Sequence, residues 1–247
     1  MRLFLPIAAS LLALSGPVAA SLLALSGPAF GQSSLRVQPL MVAVAPPSQA
    51  SAITLQNTSP NPISLQLRAF EWSQAGGADR LKPATDVVVS PPATVIPGGA
   101  AYTIRIARTS GPVTTGQKSY RLWIDELPAA GAKRAAGRAV EVRIRYDLPV
   151  IFGMPTAASN LSWRARRSGG DVVVEATNNG TGYGRVEGLR LGDVSFGRGL
   201  NGYVLPGSTR RWTAPASASQ LAANANTALV ATVGTSETRV PITIAGN

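Results

Sequence analysis

The chain has 247 residues, of which 14% are charged and 6% aromatic, and it contains no cysteine and no histidine. Those two absences exclude disulfides, thiolate catalysis, a Ser-His-Asp triad and any metal site built on Cys or His. The net charge is +11, from 20 Arg and 3 Lys against 12 acids, and a basic chain invites a nucleic-acid or anionic-surface reading only where the charge is clustered.

Residues 1–31 read as an export signal. Arg2 supplies the positive start, and Leu3 to Phe30 carries no charge. Ala9 to Pro17 recurs unchanged as Ala20 to Pro28, a local duplication rather than a repeat unit of a fold. Small-residue cleavage sites follow Ala20 and Gly31. The competing reading is a membrane anchor, but Gly16-Pro17 and Gly27-Pro28 cut the segment into runs shorter than the ~20 residues a span needs. The mature protein is expected to be exported, with no membrane insertion after cleavage.

From Gln32 on, short β-prone runs alternate with Gly, Pro and Asn punctuation. Expected strands cover Leu35 to Val44, Ala52 to Asn57, Ile63 to Trp72, Ala101 to Ala107, Tyr120 to Leu127 and Val140 to Phe152. Ile53/Leu55 and Ile63/Leu65/Leu67 alternate with polar neighbours, the period of a half-buried strand. Beyond Pro155, Leu161, Trp163 and Ala165 alternate in the same way, and Ser168-Gly169-Gly170-Asp171 forms a hairpin turn into Val172 to Ala176. Asn57 to Pro62 and Asn178-Asn179-Gly180 read as turns. Strands are expected at Arg185 to Leu191, Gly202 to Leu205, Thr209 to Trp212, Thr227 to Val233 and Thr238 to Ile244, while Ala214 to Ala225 has room for a turn or two of helix. The fold class is all-β, with two tandem immunoglobulin-like sandwiches over 32–155 and 156–247.

The N-terminal half carries Ser34-Leu35-Arg36-Val37-Gln38-Pro39, Ala52 to Asn57, Val87 to Pro92, Ile96-Pro97-Gly98, Ser119 to Pro128 and Leu148 to Phe152. The C-terminal half adds Leu161-Ser162-Trp163, Asn178-Asn179-Gly180 and Gly202 to Ser208. In this order the phrases resemble the periplasmic pilus-assembly chaperones of the chaperone–usher system, nearest to the archaic, spore-coat-protein-U-like branch. The resemblance implies a boomerang of two sandwiches with no enzymatic activity and no cofactor or metal. The implied partners are pilin or spore-coat-U-like subunits, which receive a donated strand by β-augmentation, and an outer-membrane usher that takes the complex. The implied site of action is the periplasm.

A donor strand needs apolar side chains at every second position, and Val140, Val142, Ile144, Tyr146 and Leu148 supply that series, with Glu141, Arg143, Arg145 and Asp147 between them. The same alternation also fits an ordinary strand packed on its own core. Leu35, Val37 and Met41 belong to the first strand edge, where Pro39 interrupts the ladder as edge strands allow. Family members hold the subunit's terminal carboxylate with an Arg on the first strand and a Lys on the donor strand. Here those positions fall on Met41 and on Pro149 or Val150, neither of them basic. Arg121 is the candidate replacement, since Arg suits bidentate carboxylate binding; an ion pair with Asp125 or Glu126, or simple exposure, is the alternative.

Three other classes compete. A nucleic-acid binder is disfavoured because the two halves carry similar excesses of positive charge and the densest group, Arg164, Arg166 and Arg167, is small. An enzyme is disfavoured because the usual bases and nucleophiles are missing and the adjacent Asp125-Glu126 face opposite ways on a strand. An exported adhesin or carbohydrate-binding module stays open, although Trp72, Trp123, Trp163 and Trp212 are scattered as core or domain-contact residues would be.

Overall fold

The computed structural model describes residues 35–128, 143–217, 221 and 226–246. Among them every regular element is a strand. The first ten are β1 (Leu35–Gln38), β2 (Val42–Val44), β3 (Ala50–Asn57), β4 (Ile63–Ala75), β5 (Ala78–Pro83), β6 (Val87–Ser90), β7 (Ala93–Ile96), β8 (Ala101–Arg108), β9 (Gln117–Leu127) and β10 (Arg145–Gly153). They form a four-stranded sheet in the order β1-β3-β8-β6 and a six-stranded sheet in the order β2-β10-β9-β4-β5, with β7 paired to β4. The alternation read from the sequence is what seals the two sheets together. Ile53, Leu55, Ile104 and Ile106 from one face Leu65, Leu122, Ile124 and Val150 from the other, all with 1% exposure or less. Removing that much apolar surface from water is the main stabilising term of the sandwich.

Leu35 to Val44 is not one strand. Pro39 lacks the N–H a ladder needs, and at this point the chain leaves β1 in the four-stranded sheet and enters β2 in the six-stranded one. The hairpin of β4 with β5 was also not visible in the sequence, because Ala78 to Pro83 is polar and lacks alternation.

The second sandwich contains β11 (Leu161–Ser168), β12 (Asp171–Asn178), β13 (Gly184–Leu191), β14 (Val194–Ser195), β15 (Leu200–Val204), β16 (Thr209–Pro215), β17 (Asn226–Val233) and β18 (Ser236–Ala245). The expected hairpin is present, with Ser168 opposite Asp171. The Ala-rich stretch begins as strand, Ala214 and Pro215 ending β16, while 218–220 and 222–225 lie outside the described residues. Its core gathers Val172, Val174, Val186, Leu189, Leu191, Leu229 and Ile244, and Trp163 stacks on Trp212 at a centroid distance of 5.9 Å.

Both sandwiches pin a loop with a buried Asn at the end of a strand. The Asn57 amide donates to the carbonyls of Asn61 (2.7 Å), Ile96 (3.0 Å) and Pro97 (3.1 Å). The Asn178 amide donates to those of Gly182 (2.8 Å) and Val204 (2.9 Å). These are the two Asn-led turns expected from the sequence, and each ties its turn to a Pro-Gly loop far away in the chain.

Candidate functional site

The two sheets of the first sandwich leave a matched pair of edges. β1 has β3 on one side and is the outermost strand of its sheet. β10 pairs with β9 along its whole length, from Arg145 opposite Asp125 to Gly153 opposite Gln117. On its other side β2 covers only Val150 to Phe152, in parallel. The rest of that edge carries no strand among the described residues. The Tyr146 hydroxyl donates to the carbonyl of Leu35 at 2.7 Å, joining β10 to β1. A strand edge of this kind presents main-chain donors and acceptors to any partner strand.

The predicted site residues divide accordingly. Leu148 is buried in the sandwich's own core and Tyr146 packs against it, so part of the apolar series serves the chain's own fold. Ile144 is half-buried and lies just before the strand, while Val140 and Val142 lie outside the described residues. Leu35 and Val37 point into the same core, 4% and 6% exposed, so what β1 offers outward is backbone. Met41 is not in a strand. It packs beside Trp72, Ile151, Tyr203 and Leu205, where the two sandwiches meet, and the Tyr183 hydroxyl approaches its sulfur at 3.5 Å.

Arg121 alternates with the core residues Tyr120 and Leu122 and so faces away from the core. Its guanidinium lies 3.7 Å from the centre of the Trp72 ring and 5.5 Å from that of Tyr203. Its ion-pair partner is Asp147 on β10, at 3.7 Å, rather than Asp125 or Glu126. Asp125 is instead held by Arg68 at 2.6 Å and by Arg145. Burial pushes the Asp125 carboxyl up, but hydrogen bonds from Arg145 and Arg68 outweigh this and keep it below its ordinary value. Arg145 also lies over the Trp123 ring, 3.9 Å from its centre. On this face, then, β9 and β10 carry paired charges stacked on aromatics.

The contact between the sandwiches joins Trp72, which the sequence offered as a core or domain-contact residue, to Asp79 and Arg210, which no sequence pattern marked. Arg210 grips both Asp79 oxygens, at 2.9 and 2.8 Å. Trp72 and Gln74 donate to the same carboxylate, and Gln74 also bonds the carbonyl of Tyr203 and the amide of Leu205. Burial raises the Asp79 pKa, but these hydrogen bonds, Arg210 first, bring it below its ordinary value. The Gly77 carbonyl accepts from the Arg211 amide at 3.0 Å. A side chain at Gly77 would collide there, because its Cβ would sit 2.7 Å from that of Arg211.

The basic group at 164–167 is not a uniform patch, since Arg167 is spent on the carbonyls of Ala216 (2.8 Å) and Leu221 (3.3 Å). Among the described residues no cluster of acidic side chains could hold a metal, and no helix is long and apolar enough to cross a membrane.

Residues 34–157 match the family model of pili and flagellar-assembly chaperones, PapD N-terminal domain. A comparison with curated proteins found no match. Among solved structures, the chain is similar to one in the crystal structure of the CsuC–CsuE chaperone–tip adhesion subunit pre-assembly complex, from archaic chaperone–usher Csu pili of Acinetobacter baumannii. The identity is 25% and the TM-score 0.67, over 86% of this chain and 99% of that one. Two further structures have the same fold. The E. coli chaperone DraB is 17% identical with a TM-score of 0.58, over 84% of this chain and 96% of that one. The complex of the Salmonella enterica SafA pilin with the SafB chaperone gives 15% and 0.60, again over 84% and 96%.

Proposed function

We propose that this chain, which belongs to the pili and flagellar-assembly chaperone family, captures pilin or spore-coat-U-like subunits by lending them strand β10, and passes them to an outer-membrane usher. The observation that carries this reading is the edge of β10 ahead of Val150, which has β9 on one side and no strand on the other among the described residues. A subunit strand added there completes a main-chain ladder, and alternate side chains fill its pockets. Ile144 and Tyr146 lie along the open stretch, and in the sequence Val140 and Val142 continue the same alternation. Leu148 supports the strand from the chaperone's own core.

In this reading residues 1–31 direct export to the periplasm, 32–155 form the subunit-binding domain and 156–247 the second domain. Leu35 and Val37 hold β1 in position as the far wall of the opening, and Met41 closes its base toward the second sandwich. Arg121 receives the subunit's terminal carboxylate. Its single contact with Asp147, at 3.7 Å, is long enough to yield to a bidentate partner. A carbohydrate-binding adhesin would rely on clustered exposed aromatics, whereas Trp72 and Trp163 are 3% and 9% exposed and Tyr102, at 40%, is the one exposed aromatic among the described residues.

The test is affinity purification of the tagged chain from its own host, with mass identification of whatever accompanies it. A small β-rich subunit should be held one-to-one by the wild-type chain and lost with Ile144→Asp or Tyr146→Asp. A wild-type chain that brings down no such subunit would overturn the reading.

A further inference from the structure

One hydrogen bond fixes which way each peptide of β10 faces. The Glu126 amide donates to the Ile144 carbonyl at 3.1 Å, making those two a hydrogen-bonded pair. In an antiparallel ladder such pairs alternate with open ones. Continued along the register, Tyr146, Leu148, Val150 and Phe152 bond to β9, while Arg145, Asp147, Pro149 and Ile151 turn their main-chain groups outward. Pro149 has no N–H to offer. The outer edge of β10 therefore lacks a donor at one position, between Asp147 and Ile151.

β2 pairs with β10 up to that gap. Its register runs Val42 opposite Val150, Ala43 opposite Ile151 and Val44 opposite Phe152. One more step back would set Met41 opposite residue 149, whose amide would donate to the Leu40 carbonyl. No such amide exists. Met41 lies in a bend, and Leu40 is 72% exposed instead of lying along β10. The second sandwich repeats the arrangement. Pro241 of β18 stands opposite Ala228, whose carbonyl is turned away to the Gly192 amide at 2.9 Å. Shortly beyond Pro241, β18 meets β11 in parallel at Ile244 and Ala245.

We infer that Pro149 sets the boundary between the part of β10's edge that the chain covers with its own first segment and the part left open to a partner strand. Without it, β2 would lengthen through Met41 and Leu40 and occupy the docking edge. The structural half of this inference stands by itself; its consequence for binding rests on the strand capture proposed above.

The test uses the full chain with Pro149→Ala, and with Pro149→Val should the first variant fold poorly. Amide exchange is followed by NMR. Binding of a labelled peptide of alternating valine and threonine with lysine caps is followed by fluorescence polarisation. The new amide at 149 should exchange on the order of a hundredfold more slowly than the outward-facing amide of Asp147. Peptide binding should weaken by about tenfold, the scale of an unmade main-chain bond and its exposed partner. An amide at 149 that exchanges as fast as that of Asp147 overturns the boundary role. A slow amide with undiminished binding overturns the claim that a longer β2 closes the edge. A wild-type chain that binds no strand peptide overturns the strand-capture reading instead, and the exchange rates then judge the boundary alone.

Discussion

Arg121 stands directly across from Pro149 in the β9–β10 ladder. Cross-strand partners project from the same face of a sheet, so the guanidinium lies beside Pro149, one of the two positions, with Val150, on which the family's donor-strand lysine falls, and Trp72 lies beneath it at 3.7 Å. The register thus puts a positive charge on β9 directly beside a position on β10 that has none.

If Arg121 is the carboxylate anchor, Arg121→Ala should lower recovery of the co-purifying subunit at least about tenfold, as loss of a charge-assisted pair does. Arg121→Lys should restore part of it, since a point charge lacks the bidentate fork. Chemical denaturation should register a loss of only about 1 kcal/mol, for the stacking on Trp72. Recovery that is unchanged in both variants would remove Arg121 from the site.

Tyr146→Phe separates the two uses of β10. The variant keeps the ring and removes the hydroxyl that bonds the Leu35 carbonyl, so the free chain should lose about 1 kcal/mol of stability. Subunit recovery should stay near wild type, because the ring is what fills a subunit pocket. A loss of recovery as complete as that expected of Tyr146→Asp would mean that the tie between β1 and β10 is itself needed for capture.

The alternating strands were legible because burial on one face leaves a period of two, as in Ile53/Leu55, Ile63/Leu65/Leu67 and Tyr120/Leu122/Ile124. The switch of the first segment from one sheet to the other was not, since it depends on pairing with β3 and β10, far away in the sequence. β5 was missed because its place is set by pairing with β4 and by the second sandwich, not by a hydrophobic face of its own. Arg121 could be singled out as a charge within a strand, but its neighbours Trp72, Asp147 and Pro149 follow only from register. The grip of Arg210 on Asp79 joins residues 131 apart, and neither carries a local signal.

The two buried asparagines should be costly to replace. Asn57→Ala takes a donor from the carbonyls of Ile96 and Pro97, of which Pro97 keeps the Ala100 amide, and Asn178→Ala takes one from those of Gly182 and Val204. Each should destabilise the chain by about 2–4 kcal/mol, more than one hydrogen bond is worth, because buried acceptors are left unsatisfied. Urea denaturation checks this. Losses below about 0.5 kcal/mol would show that water replaces the lost amide without penalty.

The contact between the sandwiches should weaken in acid. The Asp79 pKa is lowered in the folded chain, the pull of Arg210, Gln74 and Trp72 outweighing the opposing effect of burial. A carboxyl with a depressed folded pKa contributes stability that is fully present above its unfolded pKa and is lost as pH falls through the folded one. At neutral pH, Asp79→Asn should therefore be less stable than wild type by about 2 kcal/mol, leaving Arg210 half-buried without its counter-charge. The gap should begin to close as pH falls below about 4, the ordinary carboxyl range, and should vanish only below the lowered folded value, where wild-type Asp79 is neutral as well. The difference in melting temperature between wild type and variant, followed from pH 7 down to pH 3, measures this directly. A gap that stays constant across that range would mean that the Asp79–Arg210 charge pair contributes nothing to holding the sandwiches together.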